Sequence, residues 1–177
     1  MIAPSNVTEV IEKSNELVLK SKSLVKLAEY KLSLSESIIG LIDDAEKSLD
    51  YHTMFTLGDM IKVGKVARAI YYKGFCIMTE LGLKSDIPVF DKQEIPKDIV
   101  EEVKNANGLM AKSKELMTES QDMLSDKDSA FNRFFVASKQ VNNYDNLFDL
   151  ASLVKNERVS QLMYSEGYKA EDNEGVK

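Results

Sequence analysis

The chain has very few of the side chains that build metal centres and disulfide frameworks. Its 177 residues include one histidine, His52, one cysteine, Cys76, and no tryptophan. Most zinc sites, disulfide networks and iron–sulfur clusters need several such side chains, so these classes are largely excluded. Cys76 lies among apolar neighbours, and we expect a buried thiol that packs as a small hydrophobic residue.

Excess positive charge and long hydrophobic runs are also absent from the sequence. The 23 basic and 29 acidic residues give a formal net charge of −6, which argues against nucleic acid or an anionic membrane as the main partner. The most apolar stretch, residues 67–83, contains three charged side chains and is too short to span a bilayer. The first residues have no secretory signal pattern. We therefore expect a cytoplasmic protein that does not bind membranes.

Proline is scarce, and its three positions divide the chain into long segments that favour helix. Prolines occur only at positions 4, 88 and 96, and the stretches between them are rich in helix-forming residues. Apolar residues recur every seven residues over 17–49, where Lys31 interrupts the row, and again over 103–131, each row beside a row that contains small residues. Heptad spacing is typical of long helices that pack at a shallow angle.

This pattern predicts an all-α fold, a single-domain bundle of four to five helices with two long antiparallel heptad-patterned helices. Residues 1–167 form the bundle, and residues 168–177 form a polar, flexible tail. We expect the first long helix to run from Ser5 to about Leu49, followed by a bend over 51–58 and a second helix over 59–81.

The loop over residues 83–95 separates this part of the chain from the second long helix. Ile87, Val89 and Phe90 are expected to fold over the bundle as a hydrophobic lid, because a free loop would not carry three such residues. Pro96 begins the second long helix. The polar cluster over 125–129 is either a continuation of that helix or a turn.

Pairs of acidic residues resemble the magnesium ligands of all-helical nucleotide pyrophosphohydrolases. Asp98 with Glu101, and Glu119 with Asp122, have the required spacing, but both pairs lie on the same predicted helix and cannot converge on one ion. His52 lacks the glutamate three residues earlier that a di-iron site needs. A carboxylate–magnesium nucleotide hydrolase is therefore the least favoured hypothesis, and we predict no catalytic residues, no metal and no cofactor.

Small residues mark one surface of the predicted second helix. Gly64, Ala67, Tyr71 and Gly74 lie close together at helical spacing. Glycines inside a helix usually mark close packing, because each costs about 1 kcal/mol relative to alanine. This candidate interaction face supports the leading hypothesis, a non-enzymatic interaction or assembly protein that self-associates as a homo-oligomer or scaffolds a protein complex.

The same helix also carries a cluster of basic side chains. Lys62, Lys65 and Arg68 stand near Tyr71 and Tyr72, and cations beside aromatic rings are typical of RNA-binding surfaces. A solvated helix face has the same composition. The alternative hypothesis is therefore an RNA- or nucleotide-binding module in which Lys62, Lys65, Arg68 and Tyr72 contact the ligand.

The stretch from Leu57 to Leu83 resembles the second helix of HEPN-type helical domains, including the archaeal PaREP1-like group. A Gly-Asp turn at 58–59 opens a helix that carries alanines and the Tyr71-Tyr72 pair and ends in Leu-Gly. The resemblance covers roughly residues 15–120 and implies a helical bundle that is often dimeric. HEPN ribonucleases carry an arginine followed several residues later by a histidine. No histidine follows position 52 here, so the resemblance implies no nuclease activity.

Overall fold

The computed structural model describes residues 3–175, and every regular element in that range is an α-helix. Its helices are α1 (Ser5–Ser33), α2 (Glu36–Lys47), α3 (Tyr51–Met60), α4 (Gly64–Glu80), α5 (Lys97–Ser125), α6 (Ala130–Gln140), α7 (Tyr144–Leu153) and α8 (Glu157–Gly175). The all-α prediction is confirmed. The predicted number of four to five helices is too low, because eight helices lie within the described range.

Short polar caps divide the predicted first helix. The Ser35 side chain accepts a hydrogen bond from the Ile38 amide at 3.1 Å and starts α2. The Asp50 side chain then accepts a bond from the Thr53 amide at 3.0 Å and starts α3. Each cap satisfies an amide that a new helix leaves unpaired, so neither boundary needs a glycine or a proline.

The predicted bend over residues 51–58 is wrong, since α3 occupies this segment. Gly58 lies inside α3, and a Cβ atom at this position would come within 3.0 Å of the Tyr71 ring. This glycine therefore permits close packing against α4 and does not cap a helix.

A three-residue break separates α3 from α4, and an asparagine on another helix completes its hydrogen bonding. Ile61 and Val63 have extended backbone and are almost fully buried. The Asn107 side chain on α5 accepts a bond from the Lys62 amide at 2.7 Å and donates one to the Met60 carbonyl at 2.8 Å. One side-chain amide thus replaces helical bonds that the break removes.

The break between α7 and α8 is built in the same way. The Asn15 side chain on α1 accepts a bond from the Lys155 amide at 2.8 Å and donates one to the Leu153 carbonyl at 2.9 Å. Val154 has the same extended backbone as Ile61, with φ/ψ of −83°/122° against −82°/121°.

These two breaks belong to an internal repeat in which α1–α4 correspond to α5–α8. Helices α1 and α5 both have 29 residues, and α3 and α7 both have 10. The first helices of the two repeats share a sequence motif at a spacing of 92 residues, Asn15-x-Leu17-x-x-Lys20-Ser21-Lys22 against Asn107-x-Leu109-x-x-Lys112-Ser113-Lys114. From the second helix of each repeat onward the spacing is 93 residues, as in Leu49 and Asn142, which both have positive φ.

The chain contains two compact units, and each draws on both repeats. Unit 1 comprises Met1–Lys22 and Ser113–Lys177, and unit 2 comprises Ser23–Lys112. Unit 2 therefore contains α2, α3 and α4 with parts of α1 and α5, whereas unit 1 contains α6, α7 and α8 with the remaining parts.

The two units have separate apolar cores. The core of unit 2 includes the buried side chains Leu32, Ile38, Met54, Leu57, Ile70 and Ile77. The core of unit 1 includes the buried side chains Val7, Ile11, Leu124, Phe131, Leu150 and Met163.

Buried serines join α1 to α5 within unit 1. The hydroxyl groups of Ser14 and Ser120 lie 2.8 Å apart, and those of Ser21 and Ser113 lie 2.7 Å apart. These pairings run in opposite directions along the two helices, so the paired segments are antiparallel. Small side chains in both rows allow the two helix backbones to approach closely.

The carboxyl-terminal segment continues α8 as far as Gly175. The domain boundary predicted after residue 167 falls inside this helix, where Gly167 packs on Phe148 and Ala170 is buried. Met1, Ile2, Val176 and Lys177 belong to the predicted domain and tail but lie outside the described residues.

Two expectations about α4 and the loop after it are wrong. Cys76 is exposed, because the buried side of α4 runs through Gly74 and Ile77. Ile87 and Val89 are also exposed, at 76% and 82%, so they form no lid. Phe90, the third residue of the expected lid, is half-buried and packs on Phe55 with ring centroids 5.4 Å apart.

Candidate functional site

The predicted interaction face on α4 is partly covered within unit 2. A Cβ atom at Gly74 would lie 2.7 Å from Cε1 of Phe55, so α3 occupies the space that the glycine leaves. The Tyr71 ring also packs on Phe55, with ring centroids 5.5 Å apart. Ala67 is half-buried against the core of unit 2, whereas Gly64 is exposed. The structure therefore assigns Gly74 and Tyr71 to packing inside the chain.

The predicted nucleic-acid contacts are all exposed. Lys62 lies in the break before α4, and Lys65, Arg68 and Tyr72 follow at spacings of three and four residues along the helix. This spacing places the last three on one side of α4. Tyr72 exposes 70% of its surface. The structure thus places Lys65, Arg68 and Tyr72 on one face of α4, with Lys62 in the break before that helix.

An apolar groove of about 550 Å³ lies in unit 2, and we call it the aliphatic groove. It is formed by the carboxyl-terminal part of α1, by α2 and by α4. Its floor and walls include Leu32, Ile38, Ile42, Val66, Ala69 and Ile70. Lys26, Lys65 and Glu29 also line it, so charged side chains border an apolar surface.

Unit 1 contains a second groove of about 520 Å³, and we call it the aromatic groove. It is formed by the corresponding parts of α5, α6 and α8, and its lining includes Phe131, Phe135 and Leu162. Each residue that lines it corresponds, at the repeat spacing, to a residue that lines the aliphatic groove. Both grooves were missed by sequence reasoning, and the 92- and 93-residue repeat was the signal that could have revealed them.

Unit 1 also contains a cleft of about 670 Å³ that is rich in basic side chains, and we call it the basic cleft. Lys22 from α1, Lys114 from α5, Lys155 from the α7–α8 break and Arg158 from α8 all line it. The cleft has one carboxylate, that of Glu157. None of the four cationic side chains forms a salt bridge with any residue in the range 3–175.

His52 forms a hydrogen bond with the loop that precedes α5. Its Nδ1 atom accepts a hydrogen bond from the Asp91 amide at 2.9 Å, and its ring stacks on Tyr51 with centroids 4.1 Å apart. The Thr56 hydroxyl accepts a second bond from the Gln93 amide at 3.0 Å. Between residues 3 and 175 no group of three or more His, Cys, Asp or Glu side chains is placed to hold a metal ion.

Glu166 is a carboxylate whose pKa the fold lowers. Its side chain is nearly buried and forms ion pairs of 2.8 Å with Lys139 on α6 and with Lys169 on α8. The hydrogen bond from Lys139, followed by that from Lys169, lowers the pKa of Glu166 below its usual value, although burial acts in the opposite direction.

Comparison of the chain with protein-family models, with curated proteins and with solved structures returned no match. The resemblance to HEPN-type domains therefore stays a prediction. Over residues 3–175, no helix combines the length and the apolar character that crossing a membrane requires.

Proposed function

We propose that the protein is a non-enzymatic interaction module that binds an amphipathic helix of a partner protein in the aliphatic groove. The observation that carries this proposal is the apolar surface left open among α1, α2 and α4. Tyr30 and Ile39 line the groove and are 61% and 44% exposed. An amphipathic helix could cover such a surface with apolar side chains one turn apart.

The charges around the aliphatic groove favour a partner helix with acidic flanks. Lys26 and Lys65 line the groove without an ion-pair partner among residues 3–175. Lys73 is already paired with Glu46. Glu29 is the one carboxylate in the lining. Complementary charges at a rim select a partner and accelerate association more than they raise affinity.

The aromatic groove in unit 1 supports the scaffolding form of the proposal. It is lined by residues at the same repeat positions as the aliphatic groove, but its side chains differ, because Phe131 and Phe135 stand where the aliphatic groove has Ile38 and Ile42. A chain with two related grooves can hold two helices of different shape. Affinity for each helix would follow the fit of its anchor side chains.

The test uses a synthetic amphipathic peptide with leucines at helical spacing and glutamates at both ends, labelled for fluorescence anisotropy. Ala69 in the aliphatic groove and Leu162 in the aromatic groove occupy equivalent positions and are both exposed. We expect Ala69→Asp to weaken peptide binding about tenfold, because a buried unpaired carboxylate is costly. Leu162→Asp tests the aromatic groove in the same assay, and Val136→Asp, at an exposed position that lines neither groove, is the control that should leave binding unchanged.

Self-association is the second form that the interaction hypothesis takes. Sedimentation velocity of the full chain at micromolar concentration tests it, with Ala69→Asp and Leu162→Asp measured beside the natural sequence.

The peptide assay has its own control, a peptide of the same composition in scrambled order, which should not bind. A strict monomer that binds neither peptide, or binds both equally, would contradict the interaction function.

RNA binding at α4 is the second candidate function, supported by the exposed row of Lys65, Arg68 and Tyr72. A labelled single-stranded oligonucleotide at low salt tests it. Lys65→Gln with Arg68→Gln should weaken binding and reduce its salt dependence, since fewer phosphates are neutralised. Absence of binding at low salt would contradict RNA binding at α4.

A further inference from the structure

We propose that the basic cleft of unit 1 binds phosphate groups of a multiply charged ligand. The site differs from both grooves in its chemistry, because four cationic residues from α1, α5, the α7–α8 break and α8 line it. Its volume of about 670 Å³ is large enough for several phosphate groups.

The cationic side chains of the cleft are not neutralised by ion pairs among residues 3–175. Lys22, Lys114, Lys155 and Arg158 form no salt bridge with any described residue. Four cations in one concavity repel one another, and only Glu157 offsets them. An anionic ligand would relieve this repulsion, so binding of a polyanion is favourable at the cleft although the whole chain is acidic.

The internal repeat gives a second, independent observation about these positions. The first repeat, residues 5–82, carries ten Lys and Arg residues, and only four of them correspond to a basic residue in the second repeat. The four pairs are Lys20 with Lys112, Lys22 with Lys114, Lys62 with Lys155 and Lys65 with Arg158. All four cations of the cleft belong to three of these pairs. Lys22 and Lys114 form one pair, and Lys155 and Arg158 are members of two others. Each cation of the cleft thus has a basic counterpart in the other repeat, whereas most other basic residues of the first repeat do not.

The other lining residues indicate that phosphate, and not a nucleobase, is the group recognised. The cleft has no aromatic side chain on which a base could stack. Arg158 can bind two oxyanion atoms at once through its guanidinium group. Arg158 is also in the first turn of α8, a helix of 19 residues whose amino-terminal dipole favours anions.

Calorimetric titration of the full chain with tripolyphosphate at low ionic strength tests the proposal. The test variant is Lys114→Gln with Lys155→Gln, because these two side chains line the cleft and neither groove. We expect its affinity for tripolyphosphate to fall about tenfold or more. Lys13→Gln with Lys127→Gln removes the same charge from exposed positions of unit 1 and should change the affinity less than twofold.

A single-stranded oligouridylate, titrated in parallel, distinguishes free polyphosphate from a nucleic-acid backbone. Binding of tripolyphosphate that depends on Lys114 and Lys155 supports a small phosphorylated ligand. Binding of the oligouridylate alone, with the same dependence, supports a nucleic-acid backbone in the cleft. The proposal is overturned if neither probe binds, or if both double variants lose equal affinity. Neither result bears on peptide binding at the aliphatic groove.

Discussion

At the scale of single residues, two asparagines determine whether the helix breaks can be tolerated. Asn107 bonds to both sides of the α3–α4 break, and Asn15 does the same at the α7–α8 break. A typical intramolecular hydrogen bond contributes about 0.5–1.5 kcal/mol to stability. Each asparagine supplies partners for two backbone groups, and of these four groups three are at exposed residues and one, the Met60 carbonyl, is at a half-buried residue.

Asn107→Asp tests this role with a minimal change of shape. The aspartate keeps an acceptor for the Lys62 amide but loses the donor to the Met60 carbonyl, and its charge faces that carbonyl oxygen. We expect the free energy of unfolding in urea to fall by about 0.5–1.5 kcal/mol, because the bond to the half-buried Met60 carbonyl is lost. Asn105→Asp, the same change at an exposed position of α5, should have little effect. Equal losses in both variants would show that the bridge contributes nothing.

Two glycines at equivalent positions give a second prediction at this scale. A Cβ atom at Gly74 or Gly167 would lie 2.7 Å from a phenylalanine ring, that of Phe55 or Phe148. Gly74→Ala should destabilise the protein by about 1–3 kcal/mol through overpacking. Gly167→Ala should cost less, because Phe148 is only half-buried and can shift, whereas Phe55 is fully buried.

Gly108 provides the control for these two variants. It lies inside α5, and nothing stands within 4 Å of the place that its Cβ would occupy. Gly108→Ala should therefore stabilise the chain by about 0.5–1 kcal/mol through higher helix propensity. Thermal unfolding should show Gly108→Ala as the most stable of the three alanine variants, Gly167→Ala as intermediate and Gly74→Ala as the least stable. Gly74→Ala as stable as the natural protein would refute the packing argument.

At the scale of elements, Glu166 joins α6 to α8 through a charge that depends on pH. Because the pKa of Glu166 is lower in the folded protein than in the unfolded chain, its contribution is present above the unfolded pKa, about 4.3, and is lost as pH falls through the folded value. Glu166→Gln should reduce the free energy of unfolding by about 1–3 kcal/mol at neutral pH.

The pH profile separates this ion pair from a packing effect. The stability difference between the natural chain and Glu166→Gln should stay constant above about pH 5 and shrink as the medium is acidified. Glu171→Gln, an exposed position on the same helix, should show no such dependence. A difference that persists unchanged at low pH would assign the loss to shape and not to charge.

The loop before α5 is held by a histidine acceptor, which can be removed without removing the ring. His52→Phe keeps an aromatic side chain beside Tyr51 but cannot accept the bond from the Asp91 amide. Hydrogen exchange at Asp91 should become about tenfold faster, while the Gln93 amide, bonded to Thr56, should change less. Unchanged exchange at Asp91 would show that the histidine does not anchor the loop.

Element boundaries differ in how far the sequence predicts them. The start of α5 after Pro96 and the end of α4 before Gly82, which has φ of 73°, follow from local backbone chemistry and are predicted correctly. The break over residues 61–63 contains neither residue type and is stabilised by Asn107, 45 residues from its partner Lys62. A contact between residues so far apart in the sequence cannot be predicted from a local sequence pattern.

The candidate sites also differ in how far the sequence predicts them. The exposed cations of α4 are predictable, because one helix places them at regular spacing. The basic cleft combines side chains from α1, α5 and the region around residue 155, so only the folded chain brings them together. Both grooves likewise need three helices each.

At the scale of the whole molecule, the two units share their longest helices. Residues of α1 and of α5 belong to both units, so unfolding one unit removes helical turns that the other continues. We expect one cooperative transition in urea. Asn15→Asp in unit 1 and Asn107→Asp in unit 2 should each accelerate hydrogen exchange of protected amides in both units. Acceleration confined to the mutated unit would show that the units unfold separately.

The exchange of asparagines between repeats makes each half of the chain depend on the other. The break in the first repeat is completed by Asn107 of the second, and the break in the second is completed by Asn15 of the first. Neither repeat therefore contains the side chain that completes its own break. We expect the two fragments produced by a cut in the loop over residues 83–95 to stay associated and to depend on each other for the structure of their breaks.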